Sequence, residues 1–404
     1  MKKKYELGII GAGVAGSMAM LKIAEKYPQT KTILFDIGRP PGKRRRQLEG
    51  FLGCFPAGDG KLYPSDLEKI KALADARRAN PAYNWVLNHL SQIATLKLVK
   101  SPSPHVGLSK LLLQENYTSE VLSYHQWKPE NIHQLSKHIT KWMESCTSLT
   151  FNFDTEVVKV AKVKGGYHVI TDKQEIFCEK LLLAPGRTGW RWVTDVFKEL
   201  GLTVQDHEAK FGLRLEISAQ YLKEFNKSHL ILTKGDLELG PFSWFGTVIP
   251  EDHADVVIAG FRSNEDRWKS EKVSFSMTKT MTFENAGVAQ ADRISKLAFL
   301  LLNDRVNKEK IKNFHSFENQ INMLPEYSWV PNTITELTKI IPQLSSKGSF
   351  HAPHLITQPG KITLKKNLET AELPGLFVAG EATGISGLMA AATMGAMCVE
   401  SALS

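Results

Sequence analysis

The spacing of apolar positions changes along the chain, and the changes mark out its elements. Tyr5-Glu6-Leu7-Gly8-Ile9-Ile10 is a short apolar run of the kind a buried strand shows. From Val14 to about Lys26 the apolar positions recur at helical spacing, and Thr32-Ile33-Leu34-Phe35 reads as a second strand ending at Asp36. Residues 66–100 and 108–126 read mainly as helix. Residues 131–145 read as an amphipathic helix with Leu135, Ile139, Trp142 and Met143 on one face. The period then falls toward two: residues 149–153, 156–160, 167–170 and 176–178 alternate or cluster as short strands, with turns at Lys164-Gly165-Gly166 and Asp172-Lys173. Leu181-Leu182-Leu183-Ala184 is a further buried strand, closed by Pro185-Gly186. Beyond Leu202 the character changes again, with strands expected over 210–216 and 255–261 and a helix over 294–301. Gly375-Leu376-Phe377-Val378-Ala379 is a last buried strand. It runs through Gly380-Glu381-Ala382-Thr383-Gly384 into a small-residue helix over 388–403.

The first of these units carries the clearest chemistry. Gly11-Ala12-Gly13-Val14-Ala15-Gly16 joins the first strand to the first helix, and Asp36 follows Gly16 by about twenty residues. Gly11 makes the tight turn, Gly13 lets backbone N–H groups approach a pyrophosphate, and Gly16 lets helix and strand pack closely. The N terminus of the helix then attracts the anion, and Asp36 is placed to accept hydrogen bonds from a ribose. Strand, glycines, helix, strand and acid in this order point to dinucleotide binding. No second G-x-G-x-x-G follows a strand after residue 40, so no separate NAD(P)H-binding domain is expected.

Composition narrows the remaining choices. The chain has 404 residues, 42% hydrophobic and 23% charged, which suits a globular protein with a sizeable core. Lys2, Lys3 and Lys4 before an apolar stretch imitate a signal peptide, but Gly11, Gly13 and Gly16 are costly in such a helix and useful in a phosphate turn. No apolar run is long enough to span a membrane, so no membrane association is expected. Cys54, Cys146, Cys178 and Cys398 are scattered, with no C-x-x-C pair, so neither a metal site nor a dithiol motif is indicated and a cytoplasmic location is expected. Lys and Arg total 51 against 42 Asp and Glu, a net charge of +9. Solubility is the plainer reading of that excess and the preferred one; an anionic partner such as nucleic acid is the sharper one.

Three elements now stand in order: residues 11–16 with Asp36, Leu183-Ala184-Pro185-Gly186, and Leu376-Phe377-Val378-Ala379-Gly380-Glu381. Together they resemble the flavoprotein superfamily with two dinucleotide-binding domains, whose middle element ends in "A-T-G" and whose last ends in "G-D" or "G-E". More narrowly, Gly58-Asp59-Gly60-Lys61-Leu62, Phe211-Gly212-Leu213-Arg214-Leu215-Glu216 and Gly380-Glu381-Ala382-Thr383-Gly384 resemble the "S-D-G-K-L", "G-x-R-x-E" and "G-E-G-A-G" stretches of the FAD-dependent dehydrogenase-like proteins. The chain departs from the pattern at Asp36, where Glu is commoner, at Pro185 in place of Thr, at Gly58 in place of Ser, and at Ala382 and Thr383. The resemblance implies an α/β fold: a Rossmann-like FAD-binding domain with an inserted mixed α+β substrate domain. Residues 1–201, with a helical excursion over 64–145, and 346–404 would form the first, and 202–345 the second.

The resemblance also implies a set of FAD contacts. The pyrophosphate would lie over Gly13, Ala15 and Gly16, with the adenosine near Asp36 and Ile37 and a backbone contact to adenine from Val157 or a neighbour. Ala184 and Gly186 would line the middle of the site, Gly380 and Glu381 the ribityl chain. The helix start at Gly387, Leu388 and Met389 would point at the flavin pyrimidine edge, where reduced flavin carries negative charge that a helix N terminus stabilises. Arg44, with Arg45 and Arg46, would brace the pyrophosphate or meet an acidic partner, although a charge run is ordinarily a solvated face. Residues 50–62 would cover one flavin face. Within them Lys61 is expected to be a solvated lysine, with a place near the flavin as the alternative, and Cys54 a buried small hydrophobe. His351 and His354 are expected to be loop histidines with structural hydrogen bonds, or else proton shuttles. Arg214 and Glu216 share a strand face as a substrate anchor or a structural ion pair. No catalytic acid or base is indicated. The expected activity is hydride transfer between flavin N5 and a small-molecule substrate. An FAD-dependent RNA-modifying enzyme and a non-catalytic flavin-bound scaffold or sensor are the alternatives.

Overall fold

The computed structural model describes residues 4–43, 48–205, 207–253, 256–263, 265–283, 307–311, 327–357 and 359–404. Arg44, Arg45, Arg46 and the helix expected over 294–301 lie outside these residues. The chain divides into two units, one comprising Met1–Lys97, His125–His207 and Gln358–Ser404, the other Leu98–Tyr124 and Glu208–Thr357.

In the first unit the chain opens with β1 (Lys4–Ile10), α1 (Val14–Lys26) and β2 (Thr32–Phe35). A short strand β3 (Lys61–Leu62) leads into α2 (Asp66–Leu73) and α3 (Ala76–Ile93). Helix α4 (Pro129–Ser145) precedes β4 (Leu149–Asn152), β5 (Val157–Val163), β6 (Gly166–Thr171) and β7 (Glu175–Leu183). Helix α5 (Trp190–Glu199), β8 (Leu376–Val378) and α6 (Leu388–Leu403) complete the unit. The strands form a seven-stranded sheet in the order β4-β2-β1-β7-β6-β5, with β8 also on β7. The pairs β4–β2, β2–β1, β1–β7 and β7–β8 are parallel, and the two pairs of the β5-β6-β7 meander are antiparallel. The two strands expected over 176–178 and 181–184 are one continuous strand. Its first half pairs with β6 and its last three residues pair with β8.

Alternation along the strands builds two cores. Leu7, Ile9, Leu34, Leu182 and Phe377 face α1, α2, α3 and α6, while Ile10, Ile33, Phe35, Leu181, Leu183 and Val378 face α5 and the meander. A third cluster packs Met18 and Leu21 of α1 against Ile132, Leu135, Ile139 and Met143 of α4; Trp142, expected on this face, is 36% exposed. Helices α1 and α6 run in the same sense and approach closely. A Cβ on Gly395 would stand 2.1 Å from the Ala15 carbonyl oxygen. At the far end of the pair, Lys22, only 1% exposed, meets Glu400 Oε1 at 2.6 Å.

Among the described residues the second unit is an antiparallel eight-stranded sheet together with a ribbon formed by Thr247–His253 and Val256–Arg262. Its core holds Phe225, Phe242 and Phe275 in a stack with centroids 4.9 and 4.2 Å apart. Its extent differs from the expected 202–345 in three places, the first being its start at Glu208, since residues 202–207 belong to the first unit. Thr118–Val121 pairs with Leu230–Lys234, so 98–124 joins this unit, and of the helix expected over 108–126 only 108–114 forms, as part of the helix Val106–Gln114. Ser349–Thr357 pairs with His207–Ser218, which brings the stretch up to residue 357 into the same sheet.

Gly395→Val would drive a branched side chain into the backbone of α1. Overpacking of this kind costs about 1–3 kcal/mol, and the thermal unfolding midpoint should fall. An unchanged midpoint would show that the two helices separate without cost.

Candidate cofactor site

Strand register creates the site. Phe35, Ile10, Leu183 and Val378 lie level across β2, β1, β7 and β8. The residues that follow them, Asp36, Gly11, Ala184 and Ala379, therefore leave the sheet along one edge. The edge is closed by Gly11 N–H donating to Phe35 O at 2.8 Å, Ala184 N–H to Ile10 O at 2.8 Å and Ala379 N–H to Leu183 O at 3.0 Å. Gly11 has φ of 104°, and a Cβ there would stand 2.1 Å from Ala184 O. A side chain at Gly16 would stand 1.8 Å from Gly11 O. These two glycines shape the turn from within and do not line the groove above it.

That groove is lined by Gly13, Val14, Ala15, Asp36, Ile37, Ala184, Gly186, Arg187, Gly380, Glu381, Gly387 and Leu388, among others. Segments from the two ends of the sequence thus meet on one concavity. With strands about 4.8 Å apart, the edge from β2 to β8 runs roughly 14 Å, so a ligand touching both Asp36 and Glu381 must be elongated. No side chain caps the N terminus of α1, and its first turn holds no acid, which leaves that helix end suited to an anion.

Asp36 accepts from Ala12 N–H at 2.6 Å on one oxygen and from Gly38 N–H at 2.7 Å on the other. Burial raises its pKa, while backbone donors from Ala12, Gly38 and Gly50 oppose that. A carboxylate offers about four acceptor directions, so with these three amides bound one remains for a hydroxyl donor. Glu381 is held from two sides: Arg187 Nη2 donates to Oε1 at 3.2 Å and Ser386 Oγ to Oε2 at 2.7 Å. The loop after β2 is strapped over the glycine turn, with Leu52 N–H donating to Ala12 O at 2.9 Å. A Cβ on Gly53 would lie 3.2 Å from Gly13 Cα. Lys61, expected in solvent, lines the groove with its side chain 6% exposed and its ammonium on Asp59 Oδ2 at 2.5 Å. Strand β3 turns it inward by pairing with Gln126. Cys54, expected buried, is exposed at the rim of the groove, where it precedes the tight turn at Phe55–Ala57.

Four expectations land elsewhere. Met389 is buried in the core cluster behind α6 and does not line the groove. Val157 is buried in β5, and its carbonyl accepts from Trp192 Nε1 at 2.8 Å. His351 and His354 are not in a loop but on the strand Ser349–Thr357 of the second unit, with His351 Nε2 3.3 Å from Glu216 Oε2 and His354 Nδ1 3.0 Å from Ala259 O. Arg214 and Glu216 do not pair with each other: Arg214 donates to Ala259 O at 3.0 Å, and Glu216 takes Lys272 at 3.1 Å. Sequence reasoning missed Arg187 and Asp66. The first carried a legible signal, a cation directly after the Pro185-Gly186 strand end. The second stands in the first turn of α2, where an acid reads as serving its own helix.

A β-α-β glycine turn, an acid at the end of the second strand and a C-terminal strand, turn and helix closing on the same groove define a dinucleotide-binding fold. A family model described as "Glucose inhibited division protein A" matches residues 347–403, which include β8 and α6. No curated protein matches the chain. Among solved structures the chain is similar to glycine oxidase from Geobacillus kaustophilus, at 12% identity and a TM-score of 0.46 over 99% of this chain and 95% of that one. It is similar as well to L-proline dehydrogenase from P. horikoshii, at 11% and 0.45 over 99% and 93%. Iminodiacetate oxidase from Chelativorans sp. BNC1 is a third, at 11% and 0.42 over 98% and 93%.

The four cysteines form no disulfide, and burial pushes the Cys178 thiol up to about 12 and that of Cys398 up as well. Only a thiolate alkylates readily. At pH 8, iodoacetamide should modify Cys54 in the native protein and reach Cys178 and Cys398 only after unfolding, as peptide mass mapping would show. Native-state labelling of Cys398 would contradict the packing of α6.

Proposed function

We propose that the chain is an FAD-dependent oxidoreductase that transfers a hydride between flavin N5 and a small-molecule substrate. The reading rests on one observation: glycine-rich segments from both ends of the sequence line a single groove, together with two carboxylates, Asp36 and Glu381. FAD fits that pattern of donors and acceptors. Gly13 and the uncapped start of α1 would hold its pyrophosphate, Asp36 its adenosine ribose, and Glu381, steadied by Arg187 and Ser386, its ribityl hydroxyls. Bound flavin supplies the hydride chemistry, and the protein orients and tunes it. The chain's own part is to exclude water with the 50–53 strap, fix Glu381 against the polyol, and set a lysine–aspartate pair, Lys61 and Asp59, into the groove wall. No helix of the described residues is long and apolar enough to cross a membrane. Four scattered cysteines with no C-x-x-C pair suit a reducing compartment, and a cytoplasmic location is part of this proposal.

Purified protein should carry, or take up, one FAD with visible flavin absorbance, and bound FAD should slow alkylation of Cys54 at the groove rim. Asp36→Asn removes charged hydrogen bonds worth about 1.5–3 kcal/mol, so FAD affinity should drop roughly 10- to 100-fold. A colourless protein that binds no added FAD would remove the proposal.

Anaerobic mixing with panels of amino acids, amines and hydroxy acids, read as bleaching of the flavin, would then find the substrate class. A flavin that no donor reduces and no acceptor reoxidises would leave a binding protein and no enzyme.

A further inference from the structure

We propose that Asp66 sets the charge at the α6 end of the groove and holds the reduction potential of a flavin bound there below the value the bare helix would give. This rests on the FAD reading above. A helix N terminus carries the equivalent of about half a positive charge, which stabilises a nearby anion. Gly387 is the N-cap residue of helix α6 and with Leu388 lines the groove, and having no side chain it offers the helix no cap of its own. The cap comes from α2. The Asp66 side chain is 0% exposed, and its Oδ2 accepts from Ala390 N–H at 3.4 Å. Gly387, with φ of 139°, makes the approach possible, because a Cβ there would stand 2.2 Å from the same oxygen. The only counter-charge it meets at close range among the described residues is Lys69, half-exposed, with Nζ 2.8 Å from Oδ1.

A buried carboxylate at this point offsets the positive helix end that would otherwise favour the reduced flavin, whose added electrons leave a negative charge on the ring. Removing the carboxylate should therefore raise the potential, and removing the lysine should lower it. A cap that only steadies α6 predicts lost stability and no such pair of opposite shifts. Burial raises the Asp66 pKa, and Lys69 with the amides of Ala390 and Met389 opposes that.

The test is dye-coupled reductive titration of the FAD-loaded wild type, Asp66→Asn and Lys69→Gln, with FAD content and thermal midpoint measured beside it. Asp66→Asn should shift the two-electron equilibrium toward reduced flavin at least tenfold, about 30 mV, and Lys69→Gln should shift it the other way. A potential that does not rise in Asp66→Asn, or variants that move in the same direction, would overturn the proposal. If Asp66→Asn does not fold, Lys69→Gln decides: a lower potential supports the proposal and an unchanged one overturns it. Failure of the wild type to bind FAD would instead sink the reading on which the proposal rests.

Discussion

Backbone-to-backbone approach at glycine is the constraint on which the groove depends. At Gly11 the turn lies against the carbonyl of Ala184, at Gly16 the first helical turn lies against Gly11, and at Gly395 the last helix lies against Ala15. Each contact leaves no room for a methyl group. Together they draw the first turn, the end of β7 and the final helix to one point, although these segments are separated by most of the chain. The parallel register of β2, β1, β7 and β8 then ensures that all the loops leaving that edge face the same concavity.

The charged groups in the groove wall, and Asp66 behind it, are held by the protein's own donors and cations. Asp36 is fixed by two backbone amides, Glu381 by Arg187 and Ser386, Lys61 by Asp59, and Asp66 by a helix terminus and Lys69. Buried carboxylates without such partners would take up protons or destabilise the fold. The donors oppose the upward push of burial on the Asp36 pKa and hold its oxygens in fixed directions. Preorganisation of this kind reduces the ordering cost of binding a long flexible ligand.

Legibility from sequence followed the range of the contacts. The opening β-α-β unit was readable because its signal is local: strand, glycines, helix and acid lie within about three dozen residues, and each residue type has one mechanical role. The C-terminal strand and helix were readable for the same reason. Contacts made across the sequence were not. Strand Thr118–Val121 has only four residues, and nothing in Thr-Ser-Glu-Val announces a partner more than a hundred positions away. Lys61 looked like a surface lysine until strand pairing turned it inward, and Asp66 looked like a cap for its own helix. His351 and His354 looked like loop residues because Pro353 lies between them, and proline argues against a strand; Ser349–Thr357 forms one nonetheless.

Helix α6 shows how the two ends of one element divide these tasks. Its N terminus faces the groove and receives Asp66, an arrangement its dipole favours. Near its C terminus stands Glu400, a charge the dipole disfavours, and here the partner is Lys22, withdrawn from solvent and resting 4.5 Å above the Trp85 ring. Burial lowers the Lys22 pKa and Glu400 opposes that, so the buried ammonium depends on this carboxylate. An ion pair with one partner buried contributes little net stability but penalises any register that leaves the buried ammonium alone. With Gly395 seated on Ala15 midway along the helix, α6 can neither slide nor rotate without stranding a charge or losing a backbone contact. The rigidity of the far end therefore fixes the near end, and the distance between Asp66 and the groove becomes a property of the core, not of a loop.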